Sequence, residues 1–184
     1  MFIFLLLMFK KMNLFSGAGL KLLSFLAQNP GGDFYQREIA KEAGISVGAA
    51  NKYLNDLEKN DFIYSKKRGR IFFYSLNQDS PVVRQFKVFL TVLSLSPLIE
   101  QIKNHSEKAI LYGSCSEGTD TKESDIDLFI LARDKEEVKE AIRKYKSNRK
   151  VSPIIMNANE FTSLAKNDKP LYDRIIRGIE LWRK

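Results

Sequence analysis

Residues 109–131 read AILYGSCSEGTDTKESDIDLFIL, and this stretch decides the second half of the chain. Ala109 to Tyr112 is an apolar run that meets Gly113-Ser114. After a ten-residue spacer comes Asp125-Ile126-Asp127, continued by Leu128-Phe129-Ile130-Leu131. Both apolar runs read as strands. Side chains alternate along a strand, so Asp125 and Asp127 face the same way with Ile126 behind them. Two carboxylates on one strand face repel, and a divalent cation is the natural compensation. Gly113 lets the backbone come close to a ligand. Ser114 and the amides after it open a helix, whose N-terminus favours phosphate. A phosphate cradle beside a carboxylate pair is equipment for phosphoryl or nucleotidyl transfer. The bland alternative is an ordinary turn followed by a chance surface pair. The long apolar run around Asp127 argues against it.

The motif resembles the minimal nucleotidyltransferases of the DNA polymerase beta-like superfamily, and the resemblance covers roughly residues 98–184. It implies a small mixed sheet with helices on one side. It implies that Asp125 and Asp127 are catalytic and hold Mg²⁺ or Mn²⁺. It implies that Gly113 and Ser114, helped by Lys122 and Ser124, hold an NTP, with ATP the expected one. The reaction would pass a nucleoside monophosphate to a hydroxyl. Two features depart from the family pattern. Cys115-Ser116-Glu117 stands where family members carry Arg, so that Lys122 is the substitute cation. The strand expected at Lys150–Met156 lacks the third carboxylate that a two-metal site needs. Ser152 and Ile154 are the positions from which a side chain would face the pair, and Glu160 lies past the strand.

A length of 184 residues suits one or two compact domains, and 44% hydrophobic residues suffice to build cores. One cysteine, Cys115, excludes an internal disulfide and a cysteine cluster, and one histidine, His105, excludes a multi-histidine site. Cys115 follows Ser114 and is expected to line the site. The net charge of +8 is uneven. Residues 1–97 hold 13 Lys and Arg against 7 Asp and Glu, and residues 98–184 hold 17 against 15. The first half is therefore the expected polyanion binder.

That half is patterned as a DNA-reading module. Leu20, Leu23, Phe25, Leu26 and Ala27 form an apolar helix surface that stops at Asn29-Pro30-Gly31-Gly32. A short helix over Tyr35–Ala43 turns Ile39, Ala40 and Ala43 inward. Gly44-Ile45-Ser46 is a turn with Ser46 as N-cap. A third helix, Val47–Lys59, buries Ala50, Leu54 and Leu57. Its other face shows Asn51, Lys52 and Asn55, suited to a DNA major groove. Two strands in Phe62–Leu76 then flank a tip with Lys66, Lys67, Arg68 and Arg70, a wing that can clamp phosphate. The stretch EIAKEAGISVGAANKYLNDLEKNDFI resembles the MarR- and ArsR-like winged helices of prokaryotes, here expected to be of archaeal type.

The expected fold class is α+β, a winged helix-turn-helix followed by a small mixed-sheet domain. The expected boundaries are 1–13 for an apolar extension, 14–78 for the winged helix, 79–104 for connecting helices and 105–184 for the nucleotidyltransferase fold. The opening MFIFLLLMF is too short to span a bilayer and lacks the order of a secretory signal. It reads as a poorly ordered extension or as residues upstream of a true start at Met8 or Met12. A helix begins at Ser80-Pro81, either packs between the domains or makes a homodimer contact through residues 81–95, and ends at Pro97. Asp134 to Tyr145 is an amphipathic helix whose charges read as a solvated face; the basic run Arg143-Lys144-Tyr145-Lys146 with Arg149-Lys150 is either part of that surface or a contact to nucleic acid. The expected location is the cytoplasm, and the expected partners are double-stranded DNA, a nucleotide and a protein acceptor such as a partner toxin. The competing function is a transcription regulator whose nucleotidyltransferase fold has lost turnover and senses a nucleotide or docks a partner.

Overall fold

The computed structural model describes residues 17–184, so the apolar opening and the stretch 14–16 lie outside the described residues. The chain divides into two compact units, Met1–Phe86 and Lys87–Lys184.

In the first unit, α1 (Gly17–Gln28), α2 (Gln36–Glu42) and α3 (Val47–Lys59) pack beside a sheet of β1 (Phe34–Tyr35), β3 (Ile71–Leu76) and β2 (Ile63–Arg68), in that order. Leu22, Leu23, Leu26, Ile39, Ala40, Ala50, Leu54 and Leu57 are buried, the last three at the predicted helical spacing. Ser46 caps α3: its side chain accepts from the Ala49 amide at 3.2 Å. A two-residue turn at Gly69-Arg70 joins β2 to β3 and forms the wing.

A single helix, α4 (Pro81–Ile102), follows. It runs through Pro97 instead of stopping there. Proline removes one amide and one helical hydrogen bond. Beyond it, Leu98 and Ile102 are fully buried in the core of the second unit, and that packing offsets the loss. Serines back-bond to carbonyls in the preceding turn: Ser94 Oγ donates to Thr91 O at 2.7 Å and Ser96 Oγ to Val92 O at 3.3 Å. By length and composition α4 could cross a bilayer, with a mean hydropathy of 1.5.

The second unit holds a sheet ordered β6-β5-β4-β7. Its strands are β4 (Ser106–Tyr112), β5 (Ile126–Ala132), β6 (Val151–Met156) and β7 (Ile179–Arg183). β4 pairs antiparallel with β5 and β7, and β5 pairs parallel with β6, so the sheet is mixed. Helices lie on both faces, not one. Leu95, Leu98 and Ile102 of α4 and Val138 of α6 (Lys135–Lys144) pack with Leu111, Leu128 and Ile130. Phe161 and Leu164 of α7 (Ala158–Asn167) and Ile175 of α8 (Lys169–Ile176) pack with Ile110, Phe129 and Ile154 on the other face. Continuous apolar runs such as Leu128-Phe129-Ile130-Leu131 mark strands covered on both sides.

Candidate functional site

β4 ends at Tyr112, and Gly113 turns the chain into a four-residue helix, α5 (Ser114–Glu117). Gly113 has φ +70°, and a Cβ there would stand 2.3 Å from Asp127 Oδ2. Only glycine meets both conditions, so the Asp127 carboxylate rests against its α-carbon. Asp127 pairs across the sheet with Tyr112 on one side and Ser152 on the other. Asp125 stands just before β5. Its Oδ2 accepts from Ser152 Oγ at 2.7 Å and from Lys150 Nζ at 2.8 Å. These two hydrogen bonds, that of Lys150 foremost, hold its carboxyl below the usual range. Asp125, Asp127 and Ser152 thus share one corner of the sheet.

Burial pushes the Asp127 carboxyl above the usual range; Arg174 works against this and Asp125 adds to it. Arg174 comes from α8, far along the chain. Its guanidinium lies 5.8 Å from the Tyr112 ring centroid, and no carboxylate pairs with it among the described residues. Gly178, just after α8, lets the chain pack closely on β4, since a Cβ there would stand 2.4 Å from the Leu111 carbonyl oxygen.

The spacer between Ser114 and Asp125 is pinned from beneath. Asp120 is buried. Arg149 Nη1 donates to Asp120 Oδ2 at 2.7 Å, and Arg149 Nε and Nη2 donate to the Ser124 carbonyl at 3.1 and 2.7 Å. Lys87, 3% exposed on α4, donates to the Asp120 carbonyl at 2.5 Å and lies 3.2 Å from Oδ1. Cys115 does not line the site. Its thiol is buried against the apolar cluster of Leu111 and Ile126, donates to the Asp125 carbonyl at 3.3 Å and accepts from Arg149 Nη2 at 3.2 Å. Burial pushes this thiol up, away from nucleophilic chemistry.

The remaining expected nucleotide contacts fall differently. Ser124 Oγ accepts from the Thr121 amide at 2.9 Å and closes the turn 121–124. Lys122 is exposed in that turn and forms no ion pair among the described residues. Glu160 is engaged elsewhere, in the capping box of α7 with Asn157 and in an ion pair with Lys135. The second position weighed for a third acid, Ile154, lies deeper, beside Phe129 in an apolar cluster.

Two carboxylates and a hydroxyl suit one Mg²⁺, which takes one or two carboxylates and completes its shell with water and substrate phosphates. They do not suit two ions. No group of three or more His, Cys, Asp or Glu fit to hold a metal occurs among the described residues.

Asn51, Lys52 and Asn55 are exposed on α3, and Lys66, Lys67, Arg68 and Arg70 are exposed on the wing. Arg68 is ion-paired with Asp33 and lies 4.8 Å over the Phe73 ring. Lys67 lies 5.7 Å over Phe72.

Arg149 and Lys150 escaped the sequence reading as site residues because a charged run before a strand looks like solvated surface. Their adjacency to the strand that flanks Asp125 was the available signal. Nothing in the sequence marked Asp120, Lys87 or Arg174.

Residues 97–184 match the family model described as polymerase beta, nucleotidyltransferase. Residues 18–64 match the one described as winged helix-turn-helix DNA-binding. No curated protein matches the chain. Among solved structures, NolR from Sinorhizobium fredii is similar at 17% identity, covering 47% of this chain and 80% of that one, with a TM-score of 0.39. The homodimeric winged helix-turn-helix DNA-binding domain of Mb0332 from Mycobacterium bovis is similar at 23% identity, covering 52% and 86%, with a TM-score of 0.40. The chain therefore joins a winged helix-turn-helix DNA-binding domain to a nucleotidyltransferase-fold domain.

Proposed function

We propose that the second unit binds a nucleoside triphosphate, ATP foremost, with one Mg²⁺ or Mn²⁺, and passes its nucleoside monophosphate slowly to a hydroxyl acceptor. The observation that carries this is the Asp125–Asp127 pair, with Asp127 seated against Gly113. Asp125 and Asp127 would hold the cation, which when bound neutralises phosphate charge. Gly113 and Ser114 would receive the phosphates. Arg174 supplies the positive charge that the chain lacks directly after Gly-Ser. In the transfer, the acceptor oxygen bonds to the α-phosphorus, the bond to the pyrophosphate oxygen breaks, and the acceptor proton is released. Ser152 occupies the place from which a third carboxylate would take that proton, and a serine hydroxyl is no base at neutral pH. Lys150 must also leave Asp125 before a cation can replace it. Both features point to slow turnover.

The test is incubation with Mg²⁺ and each labelled NTP, alone and with cell extract. The expected outcome is saturable Mg²⁺-dependent binding with transfer well below ~1 per second. Ser152→Asp is expected to increase transfer, and Ile154→Asp to destabilise the fold without increasing it. A parent rate of ordinary enzymes would overturn the assignment of the missing base to Ser152.

In the first unit, Asn51, Lys52 and Asn55 would read base edges of duplex DNA, and Lys66, Lys67, Arg68 and Arg70 would hold its phosphates. Val82 and Leu93, exposed on α4, fit a contact between two copies through residues 81–95. The working location is the cytoplasm, with a protein such as a partner toxin as one candidate acceptor. The Lys150–Asp125 pair favours a second reading: a regulator that senses a nucleotide without transfer. Nucleotide-dependent DNA affinity, with no label transferred under any condition, would select it.

A further inference from the structure

The aromatic and apolar side chains on the outer face of the wing sheet have no part in the function proposed above. Alternation and register put Tyr35, Tyr64, Lys66, Arg68, Ile71 and Phe73 on one face of β1-β3-β2. Ile63, Tyr74 and Leu76, on the opposite face, are buried in the unit. Tyr35, Tyr64 and Ile71 keep 43%, 52% and 52% of their surface exposed. Large apolar side chains displayed together are a mark of a binding surface. The arrangement is ordered in advance: Tyr35 meets Phe73 edge-on at 6.5 Å, and the Arg68 guanidinium lies over the same ring at 4.8 Å. Asp33 is taken up by Arg68, and Lys66 has no carboxylate partner among the described residues.

Rings and cations on one sheet face suit a polyanion that also offers flat apolar surfaces. Duplex DNA buries its base faces in its own stack. A single strand presents bare bases, which stack on tyrosine rings and guanidinium planes, and phosphates, which meet the cations. We propose that this face binds single-stranded nucleic acid, with bases on Tyr64 and Tyr35 and phosphates on Lys66. The duplex-reading helix α3 is a separate element, so the two activities are separable by mutation.

The test is fluorescence anisotropy of the full chain with a labelled single strand of mixed sequence, as DNA and as RNA, and with the matching duplex. Tyr35→Ala combined with Tyr64→Ala is expected to weaken single-strand binding about thirtyfold or more and to leave duplex binding unchanged. Tyr35→Phe with Tyr64→Phe keeps the rings and is expected to keep the affinity. Asn51→Ala is expected to alter duplex binding alone, so that failure of the duplex assignment is seen separately. Both tyrosines are exposed, and an unchanged melting temperature confirms that the fold survives. The proposal is overturned if the parent binds no single strand, if the alanine pair binds it as tightly as the parent, or if single-strand and duplex binding fall together. It is also overturned if the alanine pair changes only the oligomeric state seen by light scattering, which would make the face a protein interface.

Discussion

The wing, apart from Arg68, and the cluster around Asp120 use their basic residues in opposite ways. On the wing, Lys66, Lys67 and Arg70 point to solvent with no carboxylate partner among the described residues. In the second unit Lys87 and Arg149 turn inward onto Asp120, and Lys150 closes on Asp125. Net charge does not separate these cases; pairing does. Cations without acids are free to meet a polyanion, whereas cations with acids hold the chain in place. The Lys87–Asp120–Arg149 cluster fixes the spacer that delivers Asp125 and Asp127, so its charges act on the site without touching it.

This contrast predicts unequal costs of removal. The largest effect is expected at the buried cluster. Lys87→Ala leaves Asp120 with one partner fewer in a buried setting, and a destabilisation of about 3–5 kcal/mol is expected in chemical denaturation. The wing change Lys66→Ala with Lys67→Ala and Arg70→Ala is expected to alter stability by about 0.5 kcal/mol or less. If the two variants are equally stable, the division between structural and functional cations fails.

The same wing variant is expected to weaken binding to every duplex sequence. It should also flatten the salt dependence, by about 0.9 in slope for each phosphate it no longer neutralises. Titrations at several salt concentrations measure this. A variant that keeps the parental slope would show that the wing does not touch phosphate.

At the proposed nucleotide site, Arg174 is the cation that should behave like those of the wing. Arg174→Ala is expected to weaken NTP binding about tenfold, some 1.4 kcal/mol, and to leave nucleoside binding unchanged, as read by calorimetry. Equal weakening for nucleoside and triphosphate would remove it from the phosphates.

The smallest effect concerns the carboxylates. Asp127 is held above its ordinary pKa by burial, so its charged form costs stability when no cation is bound. Asp127→Asn alone is expected to raise the melting temperature of the metal-free protein by about 2 °C, and adding Asp125→Asn, which gives up the Lys150 ion pair, to lower it again. The double variant should also abolish the rise that Mg²⁺ is expected to produce in the parent. A double variant with the parental Mg²⁺ response would place the cation elsewhere.

Much of the winged helix was legible in the sequence. Helix α3 has the boundaries, cap and buried positions that its apolar spacing implies, because those are local properties of a helix with one buried face. Two readings failed where a longer range decides. Pro97 looks like a terminator, yet the packing of Leu98 and Ile102 keeps α4 intact. The helices were expected on one side of the second sheet and cover both.

By itself the sequence determined that Gly113, Asp125 and Asp127 share a motif, since ten spacer residues between two strands are written in the chain. It also determined that the third strand carries no acid. Only the tertiary structure decided which residue takes that place. The parallel register of β5 and β6 sets Ser152 beside Asp127, and strand phase is invisible until the partner is known. Tertiary structure alone also brought Arg174, Arg149 and Lys87 to the site and its support, because residues far apart in the chain meet through packing, which no local pattern records.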